Sequence, residues 1–145
     1  MPRPPRVALA TLACAGIVGA AAPAEAAPTR SEKRLVAKIN NVRQAHGLAQ
    51  VRISARLHRS ANRWARHLRR SDSFYHARLA SGTAENLAWA TCSWGSPRKL
   101  VRMWMGSPTH RAIMLDRSVR RVGPGVSTGH YRGYRCVRLA VARFR

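Results

Sequence analysis

Acidic side chains are scarce: five Asp and Glu stand against 27 Lys and Arg, a formal charge of +22. Such a chain cannot neutralise its own surface. Its field favours anionic partners: phospholipid headgroups, wall polyanions or nucleic acid. Cysteine is scarce too, at three, and no Cys-x-x-Cys spacing offers a thiolate zinc site. The apolar run from Val7 to Ala22 falls short of the ~20 residues a spanning helix needs. There are no internal repeats and no low-complexity tail.

What is present begins with a leader. Arg3 and Arg6 precede that apolar run, and Ala24-Glu25-Ala26 fits a small-x-small cleavage site. The expected organisation is a signal peptide over 1–26, a linker over 27–33 and one domain over 34–145, long enough for a real core. A membrane anchor and lipidation at Cys14 are the alternatives; the position three before the cysteine is Thr11, not the leucine the latter wants. Export argues against a genomic role and leaves anionic envelope components or lipid as partners, with no specific nucleic acid. The excess of arginine over lysine also fits a GC-rich genome. Processing leaves Cys92 and Cys136, which in an exported chain are expected to pair. Closing that loop contributes up to ~4 kcal/mol in the chain-entropy account. Two buried free thiols are the other reading.

Periodicity places the elements. Leu35, Val36, Ile39 and Val42 recur at helical spacing, so a helix is expected from about Glu32 to His46, stopped by Gly47. Ser54 caps a second helix to about Arg70, with Leu57, Ala61, Trp64, Ala65 and Leu68 on one face. Arg56, Arg59, Arg63, Arg66 and Arg70 line its other face. That helix is either a core helix with a solvated outer face or a basic amphipathic helix lying on an anionic membrane. Ser96-Pro97 starts a third helix to about Met105, and Pro108 a fourth to about Leu115. Ala84–Ala90, Arg121–Ser127 and Arg135–Arg143 read as strands, with a turn over Gly129–Gly133. Helices first and strands late give an α+β layering.

Taken in order, several segments form a pattern. Ile39-Asn40-Asn41-Val42-Arg43 leads to Gly47-Leu48, and Phe74-Tyr75-His76 precedes Ala84-Glu85-Asn86-Leu87. Trp104 opens a stretch containing Ser107-Pro108-Thr109-His110-Arg111-Ala112 and ending at Leu115, and Gly123-Pro124-Gly125 follows. This resembles the CAP superfamily of cysteine-rich secretory, antigen five and pathogenesis-related proteins, in its bacterial SCP-like branch. The resemblance spans about Arg34 to Phe144. It implies a three-layer α-β-α sandwich with a central, mostly antiparallel sheet and a central groove. The family's groove often carries two histidines and two glutamates, sometimes around a divalent metal such as zinc. His76, Glu85 and His110 match three of the four, and the second glutamate's position falls on Ser107. The family's Gly before Glu-Asn is Ala84 here, and its Asn after His-Arg-Ala is Ile113.

Three readings of these residues remain open. Two imidazoles and a carboxylate make a zinc-type metal set of His76, His110 and Glu85 with one open position. A His–Glu pair serves equally as general base and orienter, with water or Ser107 as nucleophile. Or Glu85 and Asn86 satisfy buried backbone donors while the histidines cap or hydrogen-bond loops; for Ser107 the favoured reading is a cap on the fourth helix. The four tryptophans are mostly core candidates; Trp94, in the loop after Cys92, is the one nearest to a surface reading at a membrane interface or glycan, but packing on the disulfide is the expectation favoured for it. The reading favoured is a secreted binding module rather than an enzyme. Its groove of His76, Glu85, His110, Ser107 and Asn86 would take a lipid, a wall component or a metal ion. A His/Glu or metal-dependent hydrolase, and a cationic protein acting on anionic envelopes by charge alone, are the alternatives.

Overall fold

The structure, a computed structural model, describes residues 27–145; the expected signal peptide and the Cys14 reading lie outside them. Helix α1 spans Arg30–Ala45, strand β1 Arg52–Ile53, helix α2 Ala55–Arg70 and strand β2 Ala84–Thr91. Helices α3 (Pro97–Met105) and α4 (Pro108–Leu115) follow, then strands β3 (Arg121–Tyr131) and β4 (Tyr134–Phe144). The sheet order is β1-β3-β4-β2, with β1 parallel to β3 and the other pairings antiparallel. One core lies between the sheet and α1, α3 and α4. A second lies under α2, which covers the other face alone. The result is the expected three-layer α-β-α sandwich.

The linker is expected to run to residue 33, but α1 begins at Arg30. The reason is a capping box. Thr29 Oγ1 accepts from Glu32 N, and Glu32 Oε2 accepts from Thr29 N at 2.7 Å, so two orphan donors of the first turn are satisfied. Arg43, in the same helix, is fully buried. Its guanidinium donates to the carbonyls of Ala49, Met114, Asp116 and Val119, clamping the segments around the ends of α1 and α4. Asn40 exchanges two hydrogen bonds with the Val51 backbone. The Asn and Arg of the first motif are therefore framework residues.

Helix α2 is a core helix. Leu57, Ala61, Ala65 and Leu68 are buried on the sheet. A Cβ at Gly123 would overlap the Leu57 backbone, and one at Gly125 would overlap that of Ala61. Bare backbone at these two positions lets the helix lie flat on β3, which explains the Gly-Pro-Gly motif. Along β4, Val137, Leu139 and Val141 face α2, while Ala140, Ala142 and Phe144 enter the opposite core. The strand's side chains alternate between the two cores, and it is buried on both faces because helices cover both. The β3–β4 turn is tighter than expected: both strands run on to Tyr131 and Tyr134. Only Arg132 (φ 48°) and Gly133 (φ 77°) connect them, the positive-φ pair that matches sheet twist.

Candidate functional site

Strand β2 is an edge of the sheet. Its unpaired side is not left open: Trp104 Nε1 donates to Leu87 O at 2.9 Å, covering a free carbonyl of the edge. Successive side chains along the strand reach opposite faces. Glu85 goes to the α2 side with Leu87, and Asn86 to the α4 side. The histidines reach this edge from both layers, His76 from the loop after α2 and His110 from α4. Their ring centroids are 6.3 Å apart.

Glu85 is 4% exposed and all its visible partners are donors. Oε2 accepts from Arg143 Nε at 2.9 Å. Oε1 accepts from the Ala77 N–H and from His76 Nδ1, each at 3.1 Å. A carboxylate only accepts, so Nδ1 of His76 carries the proton of this bond. In the neutral ring Nε2 is then an acceptor. The His76 side chain is 57% exposed, so the buried carboxylate orients a solvent-facing imidazole.

His110 is half-buried. Burial first, and then the neighbouring His76, hold its pKa below the ordinary 6.5. It is therefore neutral at neutral pH. Asn86 is fully buried; its Nδ2 donates to the His110 carbonyl at 3.0 Å, anchoring α4 to β2. Asn86 Oδ1 is buried without a hydrogen-bond partner. Asn86 is thus a support beneath the groove and not part of its lining. Ser107 stands at the N-cap of α4, but its side chain makes no capping bond. It lines instead, with His110, a hollow of about 460 Å3 whose walls include Phe74, Trp89, Met103 and Trp104. Phe74 and Met103 are each 39% exposed, so the mouth of this hollow is apolar.

His76, Glu85 and His110 therefore converge, with Ser107 beside His110. The sequence matches the CAP family, described as the cysteine-rich secretory protein family, over residues 36–142. The chain belongs to this family. Comparison with curated proteins finds no match. Solved structures agree with the CAP fold. An outer surface protein of Borrelia burgdorferi superposes with a TM-score of 0.59 at 17% identity, over 78% of this chain and 91% of that one. The SCP-domain extracellular protein of Bacillus anthracis str. Ames gives 0.60 at 15% identity, over 79% and 39%. Venom allergen-like protein 4 of Schistosoma mansoni gives 0.64 at 10% identity, over 81% and 88%. At these identities the likeness is one of fold.

Within this CAP domain the three-ligand metal set does not fit. The Arg143 guanidinium occupies one Glu85 oxygen, and two N–H donors occupy the other. A fixed cation at 2.9 Å competes with a metal for the same carboxylate. Among the described residues no group of three or more His, Cys, Asp and Glu is arranged to hold an ion. Sequence reasoning missed Arg143, which pairs with Glu85 across β2 and β4 at a separation of 58 residues. No local motif announces a cross-strand partner.

The expected disulfide is present. Cys92 and Cys136 are bonded, with Cα atoms 5.4 Å apart, tying the end of β2 to the start of β4. Trp94 is half-exposed, with the Lys99 ammonium 4.4 Å from its ring centre. Among the described residues no helix is long and apolar enough to cross a membrane.

Proposed function

We propose that this CAP protein works outside the cell as a binding module, and that its groove takes an amphipathic ligand of the lipid class. The carrying observation is the hollow at the β2 edge. Phe74, Trp89 and Met103 provide an apolar wall, and the neutral His110 and Ser107 provide polar contacts beside it. That is the composition of a small-molecule site, mostly apolar with a few convergent polar groups. The disulfide, the leader-like residues 1–26 and the family's description as secretory support an extracellular place.

A hydrolytic reading gains less support. Glu85 orients His76 as it would a general base, but among the described residues no hydrogen bond joins either histidine ring to Ser107 Oγ, so no side-chain nucleophile stands activated. The test is quenching of tryptophan fluorescence by a bromine-labelled lysophospholipid below its micelle concentration. Saturable quenching that is lost in Trp89→Ala and weakened in His110→Ala is expected. Quenching that never saturates, or that both variants retain in full, would overturn the reading.

A further inference from the structure

We infer that the outward face of α2 is a second, separate site: a track that holds a linear polymer of phosphodiester charges. Arg56, Arg59, Arg63, Arg66 and Arg70 follow one another at three- or four-residue steps. Such neighbours stand about 5–6 Å apart on one helix face, and fourteen residues of helix extend the row over about 21 Å. Two hollows run along it and share Arg63. One, of about 500 Å3, is lined by Arg66, His67 and Arg70. The other, of about 280 Å3, is lined by Arg56, Arg59, Arg78 and the back of Arg143.

The row carries a large surplus of positive charge. Helix α2 contains no acid, and Arg56, Arg66 and Arg70 form no ion pair among the described residues. Glu32 and Glu85 are buried, Asp72 accepts from the Arg132 N–H, and Asp116 accepts from Ser118. Arg66 gives one nitrogen to Asn62 Oδ1, but a guanidinium has five N–H donors, so phosphate contacts remain open to it.

The geometry also selects among anionic partners. A bilayer is disfavoured because the apolar face of α2 is buried on the sheet, leaving nothing to insert. Nucleic acid is disfavoured because single strands bind by stacking bases on exposed aromatic rings. Trp64 of α2 is half-buried, stacked on His67, and the one exposed ring in contact with it, Tyr75, cannot by itself stack a run of successive bases. A chain of closely spaced phosphates without bases, such as poly(glycerol phosphate), suits a row of this pitch.

The test uses the full chain and labelled poly(glycerol phosphate), followed by fluorescence anisotropy between about 50 and about 200 mM salt. Binding should fall steeply with salt. The triple variant Arg56→Gln, Arg66→Gln, Arg70→Gln should weaken it by about 30-fold and flatten the log–log salt slope by about 2. A control triple of equal charge loss, Lys33→Gln, Arg98→Gln, Arg117→Gln, should stay within about threefold of the parent. The Arg→Lys version of the track triple should keep most of the affinity, and thermal melting should show all variants folded. His110→Ala should bind as the parent does, which separates this site from the groove. Equal loss in both Gln triples would reduce the effect to net charge and overturn the track. Tighter binding to single-stranded DNA of equal charge, or binding to phosphatidylglycerol vesicles and not to the polymer, would also overturn it.

Discussion

Among the described residues two carboxylates are buried, each beside a histidine, at opposite edges of one sheet. Glu32 lies at the β3 edge, where β1 pairs only with residues 121 and 122 and leaves the rest of the strand uncovered. Its Oε1 accepts from the Val126 N–H at 3.1 Å and from Asn62 Nδ2 at 2.8 Å; its Oε2 faces His58 Nε2 at 3.3 Å and the Thr29 donors. Glu85 lies at the β2 edge with Arg143, the Ala77 N–H and His76. Carboxylate burial is alike, 0% and 4%. The histidines differ: His58 is 4% exposed, while the His76 side chain is 57% exposed. The same pair is a structural knot where its imidazole is enclosed and a candidate site where its imidazole reaches solvent. A buried His–Glu contact is therefore not by itself a sign of function.

The largest effect should come from Glu32→Ala. It strands several buried donors where α1, α2 and β3 meet, and should cost about 3–5 kcal/mol, read by chemical denaturation. A loss below about 1 kcal/mol would mean that water replaces the carboxylate and that the two edges are more alike than their burial implies.

Next comes Arg143→Met, which leaves Glu85 buried with its guanidinium gone. About 3 kcal/mol of destabilisation is expected, and most of it should return when Glu85→Gln is added. Additive losses in this cycle would show that the ion pair is not the term that holds the β2 edge.

The two histidines should then separate clearly. His58→Ala removes an enclosed partner and should cost about 2 kcal/mol, whereas His76→Ala should stay within about 0.5 kcal/mol. Equal losses would end the distinction between knot and site.

The smallest effect is electrostatic. The pKa of His110 is lowered, so between its folded value and the unfolded 6.5 the unfolded chain binds more protons. Stability should therefore rise with pH across that window and be insensitive to this group above 6.5. An NMR titration should place the His110 midpoint below 6.5, and His76→Ala should raise it only in part, because burial is the larger cause. A full return to 6.5 in that variant would make His76 the main cause instead.

The starts of α2, α3 and α4 were legible because each is announced locally, by Ser54, Ser96-Pro97 or Ser107-Pro108. The convergence of His76, Glu85 and His110 was legible only as a family pattern. Periodicity makes Glu32 the first residue of a helix, although Thr29-Arg30-Ser31-Glu32 already has the form of a capping box. Its burial could not be read, because Asn62 and Val126 arrive from elements 30 and 94 residues away. Arg43 was visible as a motif position but carried no reason, since three of its four carbonyl partners lie beyond residue 113.

By itself, the amino-acid sequence determined the helices, the strand periodicity, the cationic charge and the family pattern. These depend on neighbours within a few positions, or on composition alone. Tertiary structure decided which cations and carboxylates meet, which histidine stays in solvent, and that α2 turns its apolar face to the sheet and its arginines outward. Those outcomes depend on strand register and layer packing, which bring together residues dozens of positions apart and settle the desolvation of each charge.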